Sequence, residues 1–451
     1  MPETTTLDLP MLAGQVDTRL AQQRDPASPA HQVAHCVEIH GPVDATLFAS
    51  ALQRVINACE TLRLRVTGPA GDPRQEVGPA DGWSWRMVDV SDASDSRAAA
   101  QKWMRDDMAT PPDPERGPHI TQALFRAAPD RYFWYQRVHR FLADGYTCRL
   151  VAARVGEVYK ALADARDGTV GDTFTPIRRL AEEEAQYRAS PSYEEDRRFW
   201  IRQLTDRPCP VNLAGHFAAA SRTRLRHAVE LTPRQGRAVR SLTDRLQMGP
   251  SALMLAVTAL YTGRLTRTDD LVLGLPVSCR TGGTADTAAG MLSNVLAVRL
   301  TPRPDQGVIG LICQASQAVE EALLHQRYRL GDVRRDLRVH ERVPLAATQA
   351  GAVLGDDPLR FGPYPATMHS LCEGPVEDVS CTLRERSADR RMYLEVEANP
   401  ALYEQAEVAT HAARLVRVLV EVVRAPGRLV EEVDLSGDGT SGVRTRASRL
   451  F

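Results

Sequence analysis

This 451-residue sequence predicts an α/β fold in two lobes, on three observations. The chain is longer than one hydrophobic core usually supports. Strand-like and helix-like periodicities alternate through both halves instead of segregating. Between the halves, Leu162 to Pro176 reads LADARDGTVGDTFTP, rich in Gly, Asp and Thr as a connection between lobes should be. The expected boundaries are a first lobe over 1–175, a second over 176–436 and a flexible Gly/Ser/Arg-rich tail over 437–451.

In the first lobe, HQVAHCVEIHG (His31 to Gly41) alternates as a strand, and Asp44 caps a helix with apolar residues at helical spacing to Leu62. LRLRVTG returns as a strand ended by Gly68, a Pro/Gly-rich loop follows, and a polar helix runs near Ser94 to Met108. RYFWYQRVHRFL is an aromatic, strand-favouring run leading through Asp144-Gly145 into an amphipathic helix, Tyr146 to Ala163. A charged helix from about Ile177 to Leu204 opens the second lobe. Then come strand TRLRHAVEL, a helix from Thr232, buried helix PSALMLAVTALYTGRL, strand DLVLGLPV and a long helix from Val308. Strands VEDVSCTLRE and RMYLEVEANP and a final amphipathic helix, Glu404 to Val423, close it.

Composition narrows the function. Fifty-six basic against fifty-seven acidic residues argue against a nucleic-acid surface built on bulk charge. The eight cysteines show no spacing suited to zinc, so mostly buried, reduced thiols are expected. MPETTTLDLP lacks the basic start and apolar run of a secretory signal, and the longest apolar stretch is too short to span a bilayer. The expectation is a cytoplasmic, monomeric protein without metal or bound cofactor.

The segment YQRVHRFLADGYT, Tyr135 to Thr147, holds the candidate chemistry. His139 and Asp144 lie five residues apart at a strand-to-loop transition, and Gly145 permits backbone geometries and close approaches that other residues resist. Arg140 stands beside the histidine, and a guanidinium donates hydrogen bonds but takes up no proton at ordinary pH.

His139-Arg140-Phe141-Leu142-Ala143-Asp144-Gly145 resembles the H-H-x-x-x-D-G signature of the condensation domains of nonribosomal peptide synthetases, with arginine at the second position. Its approach, RYFWYQRVHRFLADGY, looks like the condensation domains that open siderophore-type synthetases. Further blocks resemble the family in order: LAGQVDTRLAQQ; ACETLRLRV, with Ala58 and Cys59 where Arg-His is common; EDRRFWIRQL with Trp200; GMLSNVLAVRL with Ser293 and Asn294; HQRYRLGDVRRDL; and MHSLCEGPVEDVSCTL with Ser380.

The resemblance implies two chloramphenicol-acetyltransferase-like lobes in a V-shaped pseudo-dimer around a central tunnel. It implies carrier proteins at both mouths, each presenting a thioester on a phosphopantetheine arm, and attack of a carrier-bound amine or hydroxyl on the donor thioester. Catalytic positions would be His139, Arg140, Asp144 and Gly145; Ser293, Asn294, Ser380 and Trp200 would line the tunnel. Asp144 would pair with Arg280 or Arg63 in a structural ion pair.

Arginine in the place of the second histidine removes general-base catalysis there. Three readings stay open. Arg140 stabilises the oxyanion of the tetrahedral intermediate, the amine arriving neutral or losing its proton to His139 or water. Alternatively the site is silent and the chain resembles the family's recruitment variant, which binds a tailoring enzyme to carrier-bound peptides. Or the substrate or another nucleophile supplies its own base. A free-standing condensation protein is the leading expectation; a coenzyme A-dependent acyltransferase of the same superfamily is the weaker one.

Overall fold

The computed structural model describes residues 8–68, 73–79, 83–111, 119–168, 174–340, 343–354, 358–386 and 390–435. The expected tail over 437–451 lies outside the described residues. A small sheet joins β1 (Leu9–Pro10), β3 (Leu64–Thr67) and β4 (Arg74–Val77). The first large sheet takes β2 (Gln32–His40), β5 (Trp83–Asp89), β6 (Ile120–Ala128) and β7 (Arg131–His139) from the first half of the chain. From the second half come β8 (Leu225–Glu230), β9 (Leu271–Val277), β10 (Asn294–Leu300), β11 (Gln349–Val353), β14 (Val379–Glu385) and β15 (Met392–Ala398). These build the second large sheet, in the order β10-β9-β11-β14-β15-β8.

The remaining strands, β12 (Leu359–Phe361) and β13 (Tyr364–Glu373), correct the expected lobe boundary. Both follow residue 176, yet they complete the first sheet, whose order is β12-β13-β2-β7-β6-β5. β13 runs antiparallel to β2, pairing Met368 with Val37 and Glu373 with Val33. The first lobe is therefore assembled from both halves of the chain.

The aromatic run is a strand buried on both faces, which explains its lack of polar alternation. Tyr132, Trp134 and Val138 of β7 pack towards the helices Ala45–Ala58 and Gly145–Ala163. Phe133 and Tyr135 pack towards the helix Ser96–Met108, where Trp103 meets Tyr135 edge to face at 5.8 Å. Asp44 caps its helix as expected, accepting from the Thr46 and Leu47 amides at 2.8 and 3.0 Å. The single charged helix expected over 177–204 is two, Ile177–Arg188 and Pro191–Leu204. Proline lacks the amide that would continue the ladder and disfavours helical geometry at Ser190.

The second lobe packs its sheet around the helix Pro250–Thr266, whose residues 252–263 are all buried. Five of the eight cysteines are buried, Cys279 is half-buried, Cys209 and Cys313 are exposed, and all are free thiols.

Candidate active site at the seam between the lobes

β7 ends at His139, and one turn of chain carries the motif to Asp144, the N-cap of the helix Gly145–Ala163. The Asp144 carboxylate accepts from the Thr147 amide at 3.0 Å and its hydroxyl at 2.9 Å. From the other lobe, Arg280 donates through Nη1 to Oδ2 at 2.8 Å and through Nη2 to Oδ1 at 2.9 Å. The Leu292 and Ser293 amides complete the set at 3.2 and 3.0 Å. Burial raises the Asp144 pKa, but the charge and hydrogen bonds of Arg280, with those of Thr147, hold it below the usual carboxylate value. A carboxylate so engaged is a fixed anion, unsuited to moving protons. The partner is Arg280 and not Arg63, whose Nη1 donates to the Gly78 carbonyl at 2.9 Å.

His139 is only 2% exposed. Its Nδ1 accepts from the Phe141 amide at 3.1 Å, and its ring packs against Phe141 and His119. Burial and the neighbouring His119, His31 and Arg137 push its pKa well below the ordinary imidazole value. Nδ1 is taken by the Phe141 amide and Nε2 is buried, so neither nitrogen is open to take the amine's proton.

Arg140 points the other way, into the seam. Its amide donates to the His31 carbonyl at 3.1 Å, and its Nη1 donates to the Glu373 carbonyl at the end of β13. The guanidinium lies over Gly374, which has φ +108° and no room for a Cβ there. Burial lowers the Arg140 pKa from the usual guanidinium value, opposed by Asp144 and Glu373; the group stays cationic.

The Glu373 carboxylate, within the MHSLCEGPVEDVSCTL block, stands at the first turn of the motif helix: its Oε2 is 3.2 Å from where a Cβ on Gly145 would sit. His35 Nε2 lies 3.8 Å and Arg384 Nη2 3.5 Å from its Oε1. Burial pushes this acid up, but the His35 hydrogen bond and the charge of Arg384 outweigh it, and the pKa falls well below the usual range.

The expected tunnel residues divide. Ser293 reaches the site through its backbone, its amide on Asp144 and its carbonyl accepting from Arg329 at 2.9 Å. Asn294 is a clip: Nδ2 donates to the Gln326 and Tyr328 carbonyls and Oδ1 accepts from the Leu330 amide. Ser380 lies on β14 between Gln349 and Glu397, in the second sheet. Trp200 is 2% exposed in the second core and donates to the His325 carbonyl at 3.0 Å, because its helix packs the aromatic face inward.

Beside Gly374, and so beside the Arg140 guanidinium, opens a cavity of about 520 Å³ lined by Met104, Met108, Leu371, Cys372 and Val376. Arg105, Arg222, Arg224 and Arg226 share that lining. Among the described residues no cluster of His, Cys, Asp and Glu could hold a metal, and no helix is long and apolar enough to cross a membrane.

The family model for the condensation domain matches residues 8–441. The chain belongs to the condensation-domain family. It is 33% identical over 436 residues, 96% of its length, to the dimodular nonribosomal peptide synthase of Bacillus subtilis (strain 168). It is 36% identical over 431 residues, 94% of its length, to the isonitrile lipopeptide synthase of Streptomyces coeruleorubidus. The chain spans 18% and 29% of those two proteins' lengths. Among solved structures, the starter condensation domain of rhizomide synthetase in complex with C8-CoA superposes with a TM-score of 0.88 at 33% identity, covering 96% of this chain and 98% of that one. The first condensation domain of the calcium-dependent antibiotic synthetase with a substrate analogue gives 0.87 at 29% identity, covering 95% and 99%. The two-lobed acetyltransferase-like architecture follows from these neighbours. Condensation domains work with carrier domains bearing phosphopantetheine.

Proposed function

We propose that this condensation domain acylates a carrier-bound amine, taking as donor a thioester whose acyl chain is apolar and lies in the cavity beside Arg140. The observation that carries this reading is the cavity of about 520 Å³ with Met104, Met108, Leu371 and Val376 in its lining, which opens beside the Gly374 that the Arg140 guanidinium lies against. A hydrocarbon tail in that space gains burial, at about 25 cal/mol per Å² of apolar surface removed from water. Its thioester carbonyl would then stand near a fixed cation. Nη1 is engaged by the Glu373 carbonyl, and the remaining N–H groups of the guanidinium suit the negative charge that grows on the carbonyl oxygen during attack. The starter domain crystallised with C8-CoA and the lipopeptide synthase among the relatives support a fatty-acyl donor.

Asp144 and Arg280 serve this reaction by holding the lobes in register, Gly145 by leaving room at the first turn of the motif helix, and His139 by holding the turn. The mass of an aminoacyl-loaded carrier, measured after incubation with an octanoyl-loaded carrier, tests the proposal. The native chain is expected to add the acyl mass to the acceptor, and Arg140→Ala to slow that addition. Carrier binding with no transfer from any acyl donor would overturn it in favour of a module that recruits a tailoring enzyme.

A further inference from the structure

We propose that Glu373 is a catalytic residue of this site, its carboxylate holding the nitrogen of the attacking amine. The assignment rests on the amide-forming reading above and supplies what the motif lacks. With Arg140 in the second motif position, no imidazole faces the seam from there; His139 is closed off and the Asp144 carboxylate is engaged by Arg280, Thr147 and two amides.

Glu373 differs from both. Its side chain is 40% exposed, whereas its partners His35 and Arg384 are 5% and 17% exposed. The contacts to those partners, 3.8 and 3.5 Å, are long, and the tighter bond of Arg384 goes to Glu395 at 3.1 Å. An ionised carboxylate offers about four acceptor directions, so capacity for an amine remains. The missing side chain of Gly145 is what admits the carboxylate to the motif, Oε2 lying 3.2 Å from that glycine's Cβ direction. One residue therefore fixes both poles of the reaction: its backbone carbonyl anchors the Arg140 cation and its side chain presents the anion.

The step balances without an external base. The amine nitrogen attacks the thioester carbon, a C–N bond forms, and the carbonyl π pair moves to oxygen beside Arg140. The nitrogen becomes positive, and the Glu373 carboxylate accepts hydrogen bonds from its N–H groups as that charge grows. When the C=O bond re-forms, the C–S bond breaks, and the pantetheine thiolate leaves with the pair and takes the N–H proton. Glu373 begins and ends ionised, which its anchoring by His35 and Arg384 favours.

Single-turnover transfer between the loaded carriers tests the assignment, with the unfolding midpoint and the affinity for an octanoyl-pantetheine analogue measured in parallel. Glu373→Gln is expected to lower the transfer rate roughly 10²-fold, with donor affinity unchanged and any drop in the midpoint too small to account for the loss, and Glu373→Asp to recover part of the rate. Gly145→Ala, which crowds the carboxylate, is expected to slow transfer in the same pattern. Transfer by Glu373→Gln within about twofold of the native rate overturns the assignment, as does a loss that tracks donor affinity or unfolding. Absence of transfer by the native chain itself overturns the amide-forming reading and this assignment with it.

Discussion

Arg280 and Asp144 face each other across the lobe seam as a bidentate ion pair, 2.8 and 2.9 Å apart, with side chains 2% and 3% exposed. The pair joins the loop after β9 to the cap of the motif helix, so it ties one lobe to the other. Removing one partner leaves an uncompensated buried charge. Arg280→Ala and Asp144→Ala are each expected to cost about 3–5 kcal/mol in denaturant unfolding. The double variant should cost less than the sum, because the two changes remove one interaction.

Acid should expose the same pair. Asp144 has its pKa lowered in the folded chain, against about 3.9 when unfolded. Its stabilising contribution is therefore complete above that unfolded value and is lost as pH falls through the lower folded one. Glu373 and Glu395, both lowered as well, act with the same sign. The unfolding midpoint is expected to hold from neutral pH down to about 5 and to drop below about 4, with a shallower drop in Asp144→Asn.

Gly374 combines φ +108° with contact against the Arg140 guanidinium. Gly374→Ala must strain the backbone and displace that cation together. A loss of about 1–3 kcal/mol is expected, with acyl transfer falling further than stability alone explains; thermal unfolding and carrier mass spectrometry measure the two effects separately.

The cavity beside Arg140 should set donor length. Leu371→Trp and Met104→Trp fill space at its wall and are expected to shorten the longest acyl chain transferred, leaving acetyl transfer intact. A donor series from two to twelve carbons, about one two-carbon step per assay, reads the cut-off; an unchanged cut-off would move the tail elsewhere.

Trp200 offers the opposite expectation. Buried in the second core with its indole N–H on the His325 carbonyl, it should affect folding and not substrate choice. Trp200→Ala is expected to lose about 3–5 kcal/mol, while Trp200→Phe keeps the native donor and acceptor preferences in competition assays.

Local signals in the sequence carried the strands and helices around the motif, because their periodicity and caps are local: Asp44 and Thr232 both cap the helices they precede. The Asp144–Arg280 pair was half legible, since the motif named one partner and left two candidates for the other. Glu373 lay inside a family block, MHSLCEGPVEDVSCTL, but nothing local set it apart from its neighbours. Its role depends on β13 crossing to β2, and the Cys372–Gln32 contact spans 340 residues of sequence. The burial of His139 was not legible for a different reason: Nδ1 is taken by the Phe141 amide and the ring is enclosed by His119 and Phe141, contacts that the motif's spacing does not report. Trp200 sat inside a family block, yet the side of its helix that it occupies belongs to the core.

The crossing of β12 and β13 also orders events during synthesis. While the ribosome is still making the second half, β2 emerges with a nine-residue edge whose permanent neighbour does not yet exist. Such an edge can recruit a strand from another nascent chain. The first lobe thus waits for a strand from the second half, and a chain terminated between the lobes would be expected to aggregate instead of accumulating as a folded half.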